Sequence, residues 1–134
     1  MSADKKTTVL IVDDNASTRM LLRAIVREDE RYVLVGEASN GTDAIEMALR
    51  LKPQIICLDN VMPKVSGLDV LQEVRPQLPG TVILMVTGSS DRETVQAAIQ
   101  NGANGYIVKP FNAARVLAAM EHATAAMDAN SKGQ

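Results

Sequence analysis

The chain has no tryptophan, one phenylalanine and two tyrosines, so aromatics make up only 2% of it. Its core must therefore be packed from aliphatic side chains, and the 46% hydrophobic content supplies them. A single cysteine, Cys57, excludes an internal disulfide framework. It sits in an apolar run, so a buried thiol in a reducing compartment is expected. No apolar run approaches the roughly 20 residues of a membrane-spanning helix. Val9 to Val12 is too short for the apolar part of a secretion signal. A cytoplasmic protein is expected, with no membrane partner. Charge of neither sign dominates, with 14 basic residues against 16 acidic ones and a net charge of −2. No field of one sign draws the chain to nucleic acid. At 134 residues, one domain with a real core is expected.

What the chain does have is a run of short apolar stretches that end at polar residues. The most telling is Gln54-Ile55-Ile56-Cys57-Leu58-Asp59-Asn60-Val61-Met62-Pro63. Ile55 to Leu58 reads as a fully buried strand, bounded by Lys52-Pro53 and Met62-Pro63. Asp59 then stands at the carboxyl end of a central strand. Further strands are expected at 8–12, 32–35, 82–86 and 106–108. Helices are expected at 16–28, 42–51, 91–100 and 112–127, with a fifth between Gly67 and Pro76 carrying Leu68, Leu71 and Val74. The first helix should bury Met20, Leu21, Ala24 and Ile25, with Asn15 capping its start. The second should bury Ala44, Ile45, Ala48 and Leu49, after a turn at Asn40-Gly41. The helix at 91–100 should bury Val95, Ala98 and Ile99, and Asn101-Gly102 stops it. Residues 1–7 and 128–134 read as flexible ends around a domain at 8–127.

Five strands and five helices in strict alternation indicate an α/β fold, a doubly wound parallel sheet with helices on both faces. Right-handed crossovers put every β-to-α loop on one edge. At that edge the strands end in Asp13-Asp14, Glu37-Ala38-Ser39, Asp59, Thr87 and Lys109. Three carboxylates, a hydroxyl and an ammonium thus gather at one crevice. Two like unit charges ~4 Å apart repel by ~4 kcal/mol at an effective dielectric of ~20. Such a cluster calls for a cation, and hard oxygen donors suit Mg²⁺. A phosphate-attracting metal beside a lysine and a hydroxyl suits phosphoryl transfer. Asp59 is the natural acceptor, because carboxylates form aspartyl-phosphates.

These residues resemble the receiver domains of two-component response regulators, and in size the stand-alone, CheY-like ones. The resemblance rests on Leu10-Ile11-Val12-Asp13-Asp14, Asn40-Gly41 with Ala44, and Asp59 with Met62-Pro63 and Gly67. It continues through Thr87-Gly88, Gly102-Ala103, Tyr106 and Lys109-Pro110-Phe111. It implies a flavodoxin-like sheet of order 2-1-3-4-5. It implies that Asp59 accepts a phosphoryl group from a histidine kinase or histidine phosphotransfer protein. Asp14, Asp59 and the backbone carbonyl of Val61 would hold Mg²⁺, with Asp13 helping through water. Lys109 and Thr87 would contact the phosphoryl oxygens. Tyr106 would swing inward behind Thr87 and alter a surface that binds an unknown downstream protein. Lys109-Pro110 would be cis. Val61 and Ser89 would tune the lifetime of the phosphoryl group. The chain would be a monomer and no enzyme beyond its own phosphorylation and dephosphorylation. A relay role, passing the phosphoryl group to a second histidine protein, is the alternative.

Blander roles exist for each residue. Asp13 and Asp14 could cap a helix, Thr87 could be a local cap and Lys109 a solvated side chain. Tyr106 could be a half-buried strand aromatic. Asn60 reads as a loop residue, and His122 as a surface one. Arg23, Arg27, Glu28 and Asp29 read as a solvated face. A flavin carrier on the same fold would need a Ser/Thr/Gly cradle where Asp13-Asp14 stands. A phosphatase using Asp59 would need a cap insertion, and the loops are too short for one.

Overall fold

A computed structural model describes residues 5–88 and 92–132. Its elements are β1 (Thr7–Val12), α1 (Ala16–Glu28), β2 (Tyr32–Ala38), α2 (Gly41–Leu51), β3 (Ile55–Asp59), α3 (Gly67–Val74), β4 (Val82–Thr87), α4 (Arg92–Gln100), β5 (Gly105–Val108) and α5 (Ala113–Lys132). All strand pairs are parallel, in the order β2-β1-β3-β4-β5. This is the expected doubly wound sheet. β3 is central and buried along its whole length. Ser89 and Asp91 lie outside the described residues.

Alternation along the strands divides the core in two. Leu10, Val12, Ile56, Leu58, Ile83 and Met85 face α2, α3 and α4, where Ala44, Ala48, Leu71, Val74 and Ala98 meet them. Val9, Ile11, Ile55, Cys57, Val82, Leu84, Val86 and Ile107 face α1 and α5, packing on Leu22, Ile25, Val26, Val116 and Met120. Burial pushes the Cys57 thiol up to about 12, so it behaves as a small apolar side chain.

Several expectations need correction. The apolar stripe of α1 is out of phase: Leu22, Ile25 and Val26 are buried, while Met20 is 61% and Leu21 47% exposed. The helix carries two overlapping apolar stripes. The one that packs into the core carries Leu22, Ile25 and Val26, and beside it Arg19 and Arg23 form ion pairs with Glu37 on β2. Arg23 is thus not on a free solvated face, and Asp29 is paired with Arg31. Asn40-Gly41 is a helix start rather than a turn, with Asn40 Oδ1 accepting from the Asp43 N–H at 2.8 Å. Ile99 is 46% exposed, because α4 lies over the short edge strand β5 and sinks only Ala98 into the core. The strand expected to start at Thr8 takes in Thr7, whose N–H donates to the Arg31 carbonyl. α5 runs on to Lys132, past the expected end at Met127, because no glycine or proline interrupts it before Gly133. β2 extends to Ala38 and carries a register shift opposite Val9 and Leu10.

Candidate functional site

The strand ends meet where the topology requires. Asp13 follows β1 and is fully buried, and Asp59 ends β3 at 3% exposure. Their parity is that of Val9, Ile11, Ile55 and Cys57, so both carboxylates stand on the α1/α5 side of the sheet edge. Lys109 follows β5 in the same parity as Ile107, and its N–H donates to the Thr87 carbonyl at 2.7 Å. The ammonium consequently lies between the two acids. Lys109 Nζ is 3.2 Å from Asp13 Oδ2 and donates to Asp59 Oδ1 at 3.3 Å. Asp14 is exposed at the mouth. The peptide bond Lys109-Pro110 is cis.

Asp13 is tied on every side but one. Its N–H donates to the Ala38 carbonyl at 3.1 Å. Its Oδ1 accepts from the Asn15 N–H at 2.8 Å. Its carbonyl accepts from Arg19 Nη1 at 2.7 Å. Oδ2 is buried and has no aligned hydrogen-bond donor, only the charge of Lys109. Asn15 also caps α1, taking the Thr18 N–H at 3.0 Å.

The loop after Asp59 is folded back tightly. The Asn60 N–H donates to the Val86 carbonyl at 3.2 Å, and the Gly67 N–H to the Asn60 carbonyl at 3.0 Å. A Cβ on Gly67 would lie 2.9 Å from Asn60 Cα and would run into the Asp59 carbonyl oxygen. Only glycine fits there. Ser66 and Asp69 form a capping box at the start of α3. Val61 rides this loop at 74% exposure, and since its side chain is a hydrocarbon its only donor for a cation is the backbone carbonyl.

The electrostatics follow from burial and crowding. Burial, and then the charge of Asp13, push the Asp59 carboxyl up to about 6 against the pull of Lys109. Burial opposes the Lys109 charge, but Asp59 and Asp13 outweigh it and hold the ammonium above its ordinary value. Carboxylate oxygens of Asp13, Asp14 and Asp59 all lie within 4.8 Å of one another. One lysine cannot neutralise three acids at that spacing. The donors are all hard oxygens, and one of them, Asp13 Oδ2, is buried without a hydrogen-bond donor. The residues present therefore fit a small divalent cation such as Mg²⁺.

Thr87 ends β4 at 4% exposure, in the parity of Ile83 and Met85. It lines a narrow cavity beneath α4 together with Met85, Ala98, Ile99 and Tyr106. Tyr106 is 46% exposed. The structure thus brings Asp13, Asp14, Asp59 and Lys109 together, and places Thr87 and Tyr106 side by side on the α4 face. His122 is exposed on α5, away from both groups.

Sequence reading passed over Arg19 and Glu37. Arg23 donates from Nε and Nη2 to both oxygens of Glu37, at 2.7 and 3.0 Å. Arg19 Nε is 3.8 Å from Glu37 Oε1. The available signal was two arginines four apart on one helix, with a glutamate at the end of the neighbouring strand.

Comparison with known proteins finds relatives of one family. A family model described as the response regulator receiver domain matches residues 9–121. The chemotaxis protein CheY of Thermotoga maritima is 39% identical over 112 residues, covering 84% of this chain and 92% of that protein. The response regulator domain of Thermotoga maritima CheB superposes with a TM-score of 0.80 at 31% identity, covering 92% of this chain and 98% of that one. CheY in a complex with CheX, BeF3 and Mg²⁺ from Borrelia burgdorferi gives a TM-score of 0.82 at 27% identity, covering 87% of each chain.

Proposed function

Since the chain belongs to the response regulator receiver domain family and is CheY-like in sequence, we propose that it is a phosphorylation-controlled switch with Asp59 as its acceptor. Phosphorylation and partner switching are general properties of that family. The observation that carries the assignment is the placement of Asp59. It is buried, stands 3.3 Å from Lys109 Nζ, and lies within 4.8 Å of the Asp13 and Asp14 carboxylates.

Asp59 is mostly ionised above about pH 6, so it is a nucleophile at neutral pH. One of its oxygens attacks the phosphorus of a phosphohistidine on a partner kinase. The new O–P bond forms as the P–N bond breaks, and the imidazole nitrogen keeps the electron pair. Asp14, Asp59 and the Val61 carbonyl would hold Mg²⁺, with Asp13 behind them. Bound there, the ion would offset charge on the phosphoryl oxygens. Lys109 exchanges its contact with Asp59 for one with a phosphoryl oxygen. The Thr87 hydroxyl closes on another, and Tyr106 turns into the cavity beneath α4. The surface around α4 and β5 then changes shape for a downstream protein.

With Mg²⁺ and acetyl phosphate, intact-mass analysis should show one added phosphoryl group per chain. Asp59→Asn should show none. Undiminished labelling of that variant refutes Asp59 as the acceptor.

A further inference from the structure

The acidic loop is steered from behind by a chain of charged groups. Asp13 and Asp14 share one planar peptide unit. Fixing the Asp13 carbonyl therefore fixes the plane from which Asp14 departs. The donor that fixes it is Arg19 Nη1, at 2.7 Å, reaching back from the second turn of α1. Arg19 is itself held by Glu37, whose Oε1 lies 3.8 Å from its Nε. Glu37 in turn is clamped by the two-pronged contact from Arg23. Arg19 and Glu37 are mostly covered, with side-chain exposures of 21% and 22%. A guanidinium that hydrogen-bonds a backbone carbonyl through one nitrogen while a carboxylate attracts another is directed by its rigid fork, unlike a solvated surface pair.

We propose that Arg19 is a positioning residue for the cation site, held in place by the Glu37–Arg23 pair, and that it sets the Mg²⁺ affinity of the acidic loop. This rests on the reading of Asp13, Asp14 and Asp59 as a Mg²⁺ site. Arg19 touches neither the ion nor the phosphoryl group; it acts through the Asp13 carbonyl. Partners behind metal ligands commonly govern affinity in this way.

The sign of the effect separates positioning from simple charge. Arg19 is a cation beside a cation site, so by charge alone Arg19→Ala should tighten Mg²⁺ binding. Positioning predicts the reverse. In calorimetric titration of the full chain with Mg²⁺, Arg19→Ala should bind about tenfold more weakly than wild type. Arg19→Lys should recover part of the loss, since an ammonium can still donate to the Asp13 carbonyl. Arg23→Gln also removes a positive charge, so charge alone predicts tighter binding, whereas loss of its clamp on Glu37 should weaken binding about threefold; it carries the test should Arg19→Ala fail to fold. In acetyl phosphate labelling, the Mg²⁺ concentration for half-maximal rate should rise in Arg19→Ala while the rate at saturation stays near wild type. Unchanged or tighter Mg²⁺ binding in Arg19→Ala overturns the proposal and leaves Asp59 as acceptor untouched. A wild-type chain that takes up no Mg²⁺ removes the metal reading and this proposal together.

Discussion

Replacing Asp59 by asparagine should stabilise the protein when no Mg²⁺ is present, although it removes the proposed acceptor. Burial and Asp13 raise the Asp59 carboxyl from 3.8 to about 6. At about 1.4 kcal/mol per pH unit, holding that group ionised costs the folded chain about 3 kcal/mol at neutral pH. Asparagine keeps an oxygen for Lys109 and puts an amide donor where the other carboxylate oxygens crowd. A gain of about 2–3 kcal/mol is expected, or roughly 5–10 °C in unfolding midpoint for a chain of this size.

The pH dependence gives the sharper test. The folded value is raised, so the stabilising effect of the protonated form is complete below 3.8 and disappears as pH rises through about 6. Below about pH 4, Asp59 holds its proton in both folded and unfolded chains, and Asp59→Asn should unfold with wild type. Between there and about pH 6 the unfolded wild-type chain releases the proton while the folded one keeps it, so the gap opens. Above about pH 6 it is full. Saturating Mg²⁺ should close it, because the ion stabilises the ionised wild-type cluster. Paired thermal unfolding of the two proteins across this range, with and without Mg²⁺, measures all of this. A variant no more stable than wild type at pH 7.5 without Mg²⁺, or a gain that ignores pH, refutes the electrostatic account of the cleft.

Two further outcomes concern the frame around the site. Arg75 is half-buried and donates to the Gly102 carbonyl at 3.0 Å, the Leu78 carbonyl at 2.9 Å and Asn104 Oδ1 at 2.8 Å, so it ties the end of α3 to the loop before β5. Arg75→Ala should lose about 2–4 kcal/mol in urea unfolding, and an unmoved midpoint would show that water replaces these bonds without cost. Gly67→Ala drives a Cβ into the backbone of Asp59 and Asn60, so the loop must open. It should lose at least about 2 kcal/mol and slow acetyl phosphate labelling, and wild-type behaviour in both assays would mean the loop yields freely.

The strands were legible because each is an apolar run cut off by a polar residue, and β3 is the extreme case, with Asp59 closing a buried segment. The acidic residues were legible for the same reason: a carboxylate straight after such a run has nowhere to go but the sheet edge. The phase of α1 was not, because its sequence allows two overlapping stripes about a third of a turn apart. The choice depends on the core residues of the sheet and α5 that meet Leu22, Ile25 and Val26, and these lie on other elements. Tyr106 and Ile99 were hard for a related reason. Ile99 lies on a helix that rests lightly on the short edge strand carrying Tyr106, and local pattern does not reveal how deeply such a helix sinks. The role of Gly67 needed coordinates too, since the close approach it permits is to backbone eight residues back.

Strand alternation also separates acceptor from readout. Asp13, Asp59 and Lys109 share the parity of Ile11, Cys57 and Ile107, which pack toward α1 and α5. Thr87 shares the parity of Ile83 and Met85, and with Tyr106 it borders the cavity under α4. The charge change proposed at Asp59 thus occurs on one side of the sheet edge, and the side chains proposed to report it stand on the other. Register closes the gap: Asp59 pairs with Val86, the residue before Thr87, and Thr87 pairs with Val108, the residue before Lys109. Any group bound on Asp59 next to Lys109 therefore faces the one backbone step that carries Thr87. Shifting either pairing by one residue would turn Thr87 or Lys109 to the wrong face, so the proposed switch requires this register as strictly as it requires the acids.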